Sequence, residues 1–69
     1  MSQDIRKRIA KNVSYYRQRK KLNKETLSLA LGFDNSYISK LERAAINITI
    51  DKLAKIGKFL DIDVVDLLK

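Results

Sequence analysis

Two short apolar repeats at helical spacing, separated by a glycine and little else, constrain this chain more than any other feature. They lie in residues 22–43, LNKETLSLALGFDNSYISKLER. Leu27, Ala30 and Leu31 recur at three- and four-residue intervals after Asn23, a residue type that caps helices, and Ile38 and Leu41 repeat the spacing after Asp34. Gly32 stands between them. A glycine there takes the left-handed conformation that ends a helix, and the few residues left before the next helix force the pair to cross steeply. The second helix is then held out from the body, which points to duplex DNA as its partner.

The rest of the composition agrees with a small helical domain. A chain of 69 residues makes one unit that buries only about 60% of its unfolded surface, so its core must be economical. It has no cysteine and no histidine. Disulfides, thiolate metal sites and the commonest general base are thereby removed, and stability must come from helix packing. With no proline, two glycines and abundant Leu, Ile, Lys and Ala, the expected fold is all-α, five helices in a single domain over 1–69, with the helix-turn-helix at about 23–44. No apolar run reaches signal-peptide or membrane-spanning length, so a cytoplasmic protein with no membrane partner is expected.

Charge narrows the partner. Fifteen Lys and Arg against eight Asp and Glu give a net charge of +7, which favours a polyanion. Eleven of the basic residues fall in positions 6–43, while Asp4, Asp34, Asp51, Asp61, Asp63 and Asp66 lie elsewhere or at helix starts. The expected surface is therefore two-signed.

Apolar spacing and capping residues place the helices. The first is expected from about Asp4 to Lys20 behind Ser2, with Ile5, Ile9, Val13 and Tyr16 on one face and Arg6, Lys7, Arg8, Lys11 and Arg19 on the other. Its basic end, Arg17 to Lys21, suits the negative end of the helix dipole. The second is expected over Lys24 to Leu31 behind Asn23, and the third over Asn35 to Ala44 behind Asp34. The fourth begins at Ile50 behind Thr49 and turns Leu53, Ile56 and Leu60 inward. Gly57 lies inside it, where glycine is about 1 kcal/mol worse than alanine, so a close helix contact is expected there. Asp63 and Asp66 have the spacing of a capping box before a last short helix.

On the third helix, inward Ile38 and Leu41 leave Ser36, Lys40 and Arg43 together on the opposite side, flanked by Asn35 and Ser39. Asn can pair bidentately with adenine, Ser can donate or accept, and Lys can reach guanine or phosphate. Arg17 and Glu42 lie at the edges of the core-facing stripes of their helices and are expected to meet as a salt bridge. No histidine, cysteine, paired carboxylates on a shared face or phosphate-binding glycine loop is available for catalysis, so no enzyme, metal or cofactor is expected.

The chain resembles the lambda-repressor-like helix-turn-helix family, the phage repressor and Cro type also called the xenobiotic-response-element family. The resemblance spans nearly the whole chain: VSYYRQRKKL, LNKETL, Gly32, YISKLER and NITIDKLAKIGKFLDIDVVDLL. It implies that Lys24, at the start of the second helix, and Asn35 and Ser36, at the start of the third, approach the operator. Lys40 adds a base contact, with Tyr37 and Arg43 beside them. It implies a partly buried Arg17–Glu42 bridge, and backbone amides of the loop AAINIT against phosphate, with Asn47 as the candidate contact there. Three departures stand out: Lys24 replaces a usual glutamine and so cannot accept a hydrogen bond, Ala44 replaces a usual glycine, and Ser28 replaces a usual alanine and needs a backbone partner if buried.

The apolar tail suggests a second interface. Ile62, Val64, Val65, Leu67 and Leu68 exceed what one short helix buries internally, so Ile46, Val64, Val65 and Leu68 are the candidate homodimer contacts, while Ile48 is assigned to the core. The expected function is a DNA-binding transcriptional regulator that docks as a homodimer on a palindromic operator. Asn35, Ser36, Tyr37 and Lys40 would contact bases, and Lys24, Arg43 and Asn47 would contact phosphates. The rival is an antitoxin or another protein-interaction module using the same fold.

Overall fold

A computed structural model describes residues 2–69 as five helices: α1 (Gln3–Arg19), α2 (Lys24–Ala30), α3 (Tyr37–Glu42), α4 (Ile50–Leu60) and α5 (Val64–Leu68). No strand occurs among the described residues. Side chains that accept a hydrogen bond from the first turn set most of the starts. Ser2 accepts from the Ile5 amide at 3.2 Å, Asn23 from Thr26 at 2.7 Å, Thr49 from Lys52 at 3.2 Å and Asp63 from Val65 at 3.1 Å. The reciprocal arm of a capping box at Asp66 is replaced, since that carboxylate pairs with Lys69 at 3.1 Å.

The first four helices end alike. Lys21, Gly32, Ala44 and Asp61 each have a left-handed backbone, with φ of 58°, 77°, 57° and 60°. After each, the chain bonds back onto the helix in the same double pattern, as where Gly32 N–H donates to Leu29 O and Phe33 N–H to Ser28 O. This closure satisfies carbonyls that the last turn would otherwise leave open. Glycine relieves the conformation at Gly32 only, so the other three turns hold an L-residue in a disfavoured region.

The helices close around Ile9, Val13, Leu27, Leu31, Ile38, Leu41, Ile48, Leu53, Ile56, Leu60 and Leu67, all buried. α1 packs against both α3 and α5, and α2 against α3. Ile5, expected on the inward face of α1, stays 40% exposed because the core ends one turn short of it. Gly57 is buried where the chain turns from α4 into α5, and a Cβ there would lie 3.1 Å from the Ile62 carbonyl oxygen. Asn12 fastens the far side by donating to the Leu67 carbonyl at 3.0 Å. No helix is long and apolar enough to cross a membrane among the described residues.

Candidate nucleic-acid interface

The orientation of α3 is set by a buried guanidinium. Arg17 Nε donates to Glu42 Oε2 at 2.7 Å, its Nη2 donates to Oε1 at 3.2 Å, and its Nη1 donates to the Leu22 carbonyl at 2.7 Å. The two side chains are only 10% and 7% exposed. One residue of α1 therefore fixes the end of α3 and the turn into α2 together. The planar fork of arginine suits this task because two of its donors match the two carboxylate oxygens in parallel.

A second device sets the start of α3, and it differs from the expected Asp34 cap. α3 begins at Tyr37, so Asp34, Asn35 and Ser36 form the turn before it. Asp34 caps the turn itself, its Oδ2 accepting from Ser36 Oγ at 3.0 Å. Ser36 occupies the N-cap position yet makes no side-chain cap bond. The donor it would have served, the Ile38 amide, is instead taken by Ser28 Oγ of α2 at 3.0 Å, while that hydroxyl donates to the Lys24 carbonyl at 2.9 Å. Ser28 is fully buried, so the cap of α3 is a tertiary contact from the neighbouring helix.

This geometry sorts the candidate residues. Lys24, Asn35, Lys40, Arg43 and Asn47 are exposed, and Ser36 is half-buried in the turn. Tyr37 is half-buried and stands apart from the exposed candidates. Its ring tilts against Phe33 with centroids 4.6 Å apart, Lys52 Nζ sits 5.0 Å from its centre, and its hydroxyl is buried without a hydrogen-bond partner. The hydroxyl is thus not presented at the surface of the free protein. Burial also raises the phenol's pKa above its ordinary 10.0, keeping it neutral. Tyr37 thus belongs to the packing that joins the turn to α4.

The tail residues divide as well. Ile46 and Val64 are half-buried against the core, whereas Val65 and Leu68 are 57% and 38% exposed. Ile48 is buried. Three further large apolar residues, Leu29, Ile50 and Phe59, are 58%, 70% and 41% exposed. Leu29 directly follows the buried pair Leu27 and Ser28, a position that places it on the opposite face of α2, and this was readable from spacing alone.

No group of three or more potential metal ligands occurs among the described residues. Comparison with known proteins gives one consistent answer. A helix-turn-helix family matches residues 13–67. The control protein C.SmaI of Serratia marcescens is 35% identical over 65 residues, covering 94% of this chain and 77% of that protein. Among solved structures, a hypothetical transcription factor from Neisseria superposes with a TM-score of 0.92 at 31% identity, over 97% of this chain and 77% of that one. The restriction-modification controller protein C.AhdI of Aeromonas hydrophila gives 0.83 at 29% identity, over 90% and 94%.

Proposed function

Since this chain belongs to the helix-turn-helix family of DNA-binding transcription regulators, we propose that it acts as a homodimer on a roughly palindromic operator, with α3 of each subunit in the major groove. The recognition helices then lie about 34 Å apart, one turn of duplex. Asn35, Ser36 and Lys40 read base edges, and Lys24, Arg43 and Asn47 hold phosphates. The observation that carries this reading is the pairing of an exposed polar row with a frame that does not let it swing: Arg17 clamps one end of α3 and Ser28 the other. Such pre-organisation spares the ordering cost that a mobile reading helix would incur on binding.

Val65 and Leu68 supply the exposed apolar surface for dimerisation, with Ile46 and Val64 supporting it from the half-buried layer. Coupling between dimerisation and DNA binding would make occupancy depend steeply on protein concentration. The likeness to two control proteins, one of them a restriction-modification controller, supports a role of that kind. The site of action would be the cytoplasm.

The test is selection of bound duplexes from a random pool, repeated with Asn35→Ala plus Lys40→Ala. An inverted repeat should be enriched by the parent and lost or relaxed in the variant, since each good base contact contributes about 1 to 3 kcal/mol of discrimination. An unchanged motif and affinity in the variant would remove α3 as the reading element and favour the protein-interaction role.

A further inference from the structure

A basic groove runs from the helix-turn-helix onto α1, and the reading above uses only its Lys24 and Arg43. Lys7 and Lys11 of α1, Lys24 at the start of α2 and Arg43 at the end of α3 all line one surface groove, which Ala10 and Ala44 also line. The four cations are exposed, and the two alanines raise nothing between them. Among the described residues lining it, the one acid is Glu42. Its carboxylate is held by two bonds from Arg17, so it is already neutralised and offers little repulsion to an anion. Three helices thus converge their positive charge on one open channel.

We propose that this groove carries the sugar-phosphate backbone flanking each operator half-site, with Lys7 and Lys11 as phosphate contacts additional to Lys24 and Arg43. The inference rests on the DNA-binding role stated above and extends its footprint onto α1. Lys7 and Lys11 stand about 6 Å apart along the helix axis, and phosphates of one strand rise about 3.4 Å per step along the duplex. Neighbouring phosphates are farther apart in space than this rise, because the strand also winds about the axis, so two flexible stems with this spacing suit neighbouring phosphates of one strand. Lysine suits this task because it offers a charge on a flexible stem and demands no fixed geometry. Contacts of this type add affinity on any sequence and leave discrimination to the turn before α3 and to Lys40.

Lys7→Ala plus Lys11→Ala is compared with Lys55→Ala plus Lys58→Ala, which removes the same charge from a separate groove beside Phe59. Binding is titrated against salt on the duplex enriched from a random pool and on a shuffled duplex, with thermal melts confirming that both variants fold. The α1 variant should lose about 1.8 from the slope of log K against log salt, about 0.9 per phosphate, on both duplexes. Lys7→Arg plus Lys11→Arg should keep the slope, and the α4 variant should leave it unchanged. An unchanged slope in the α1 variant overturns the groove while leaving the operator reading intact, and equal losses in the α1 and α4 variants reduce the effect to net charge and overturn it too. A parent that binds neither duplex removes the DNA-binding role itself, and the groove with it.

Discussion

The two ends of this molecule are joined in different ways. Where α1, α2 and α3 meet, the joints have direction: Arg17 grips Glu42 and the Leu22 carbonyl, and Ser28 links the Lys24 carbonyl to the Ile38 amide. Where α4 and α5 close the fold, the joints are mainly aliphatic, with Leu53, Ile56, Leu60 and Leu67 buried, the chain drawn in at Gly57, and a single side-chain hydrogen bond between helices, from Asn12 to the Leu67 carbonyl, added among the described residues. Hydrophobic burial has no preferred direction, whereas a hydrogen bond fixes both distance and angle. Directional joints thus stand where the angle of a helix decides which side chains are presented, and apolar ones where closing the core is enough.

The largest effect should come from splitting the Arg17–Glu42 pair. Arg17→Met leaves a carboxylate in a site only 7% exposed and strands the Leu22 carbonyl, for an expected loss of about 3 to 5 kcal/mol. Domain stabilities run from about 5 to 15 kcal/mol, so this variant should stand close to unfolding at room temperature. Glu42→Met should lose a similar amount. The double variant should recover part of the sum, because two matched apolar side chains leave no uncompensated charge. Urea denaturation of the four proteins measures the coupling directly. The exposed Lys69–Asp66 pair, at 3.1 Å with the lysine 70% exposed, provides the contrast, since such pairs contribute about 0 to 1 kcal/mol. Equal costs at the two pairs would erase the distinction between the ends.

Ser28→Ala tests the second directional joint. It leaves the Ile38 amide without its partner in a buried position, which costs about 1 to 3 kcal/mol, even though alanine is the better helix former. A stability loss near zero would mean that Ser36 swings in to supply the missing cap. This joint also marks where the sequence stopped being legible. Ser2, Asn23, Thr49 and Asp63 each serve a donor two or three residues away, so residue type and spacing were sufficient to place the helices behind them. α3 takes its cap from a residue ten positions back, and no local pattern encodes that. Local pattern therefore starts α3 two residues early and puts Asn35 and Ser36 on the helix instead of in the turn. The packing of Tyr37 was hidden for a related reason. Its spacing from Asn35 and Ser36 says nothing of Phe33 and Lys52, the groups that decide where its ring packs.

The smallest effects come from a reciprocal pair, a glycine inside a helix and an alanine in a turn that favours glycine. Ala44 ends α3 at φ +57°, where an L-residue costs about 1 to 2 kcal/mol. Part of that gain is lost to the greater freedom of glycine in the unfolded chain, about 0.4 to 1 kcal/mol, so Ala44→Gly should stabilise by under about 1 kcal/mol. Gly57→Ala gains about 1 kcal/mol of helix propensity but pushes a methyl group to 3.1 Å from the Ile62 carbonyl oxygen. That carbonyl cannot retreat freely, because the amide of the same residue donates back to the Gly57 carbonyl at 2.9 Å. Overpacking of this kind costs about 1 to 3 kcal/mol, which leaves a net loss of about 1 kcal/mol. Thermal melts should therefore move in opposite directions for the two variants. A rise for Gly57→Ala would show that the α4–α5 turn yields where the α1–α3 joints do not, and the apolar end would then be the more deformable of the two.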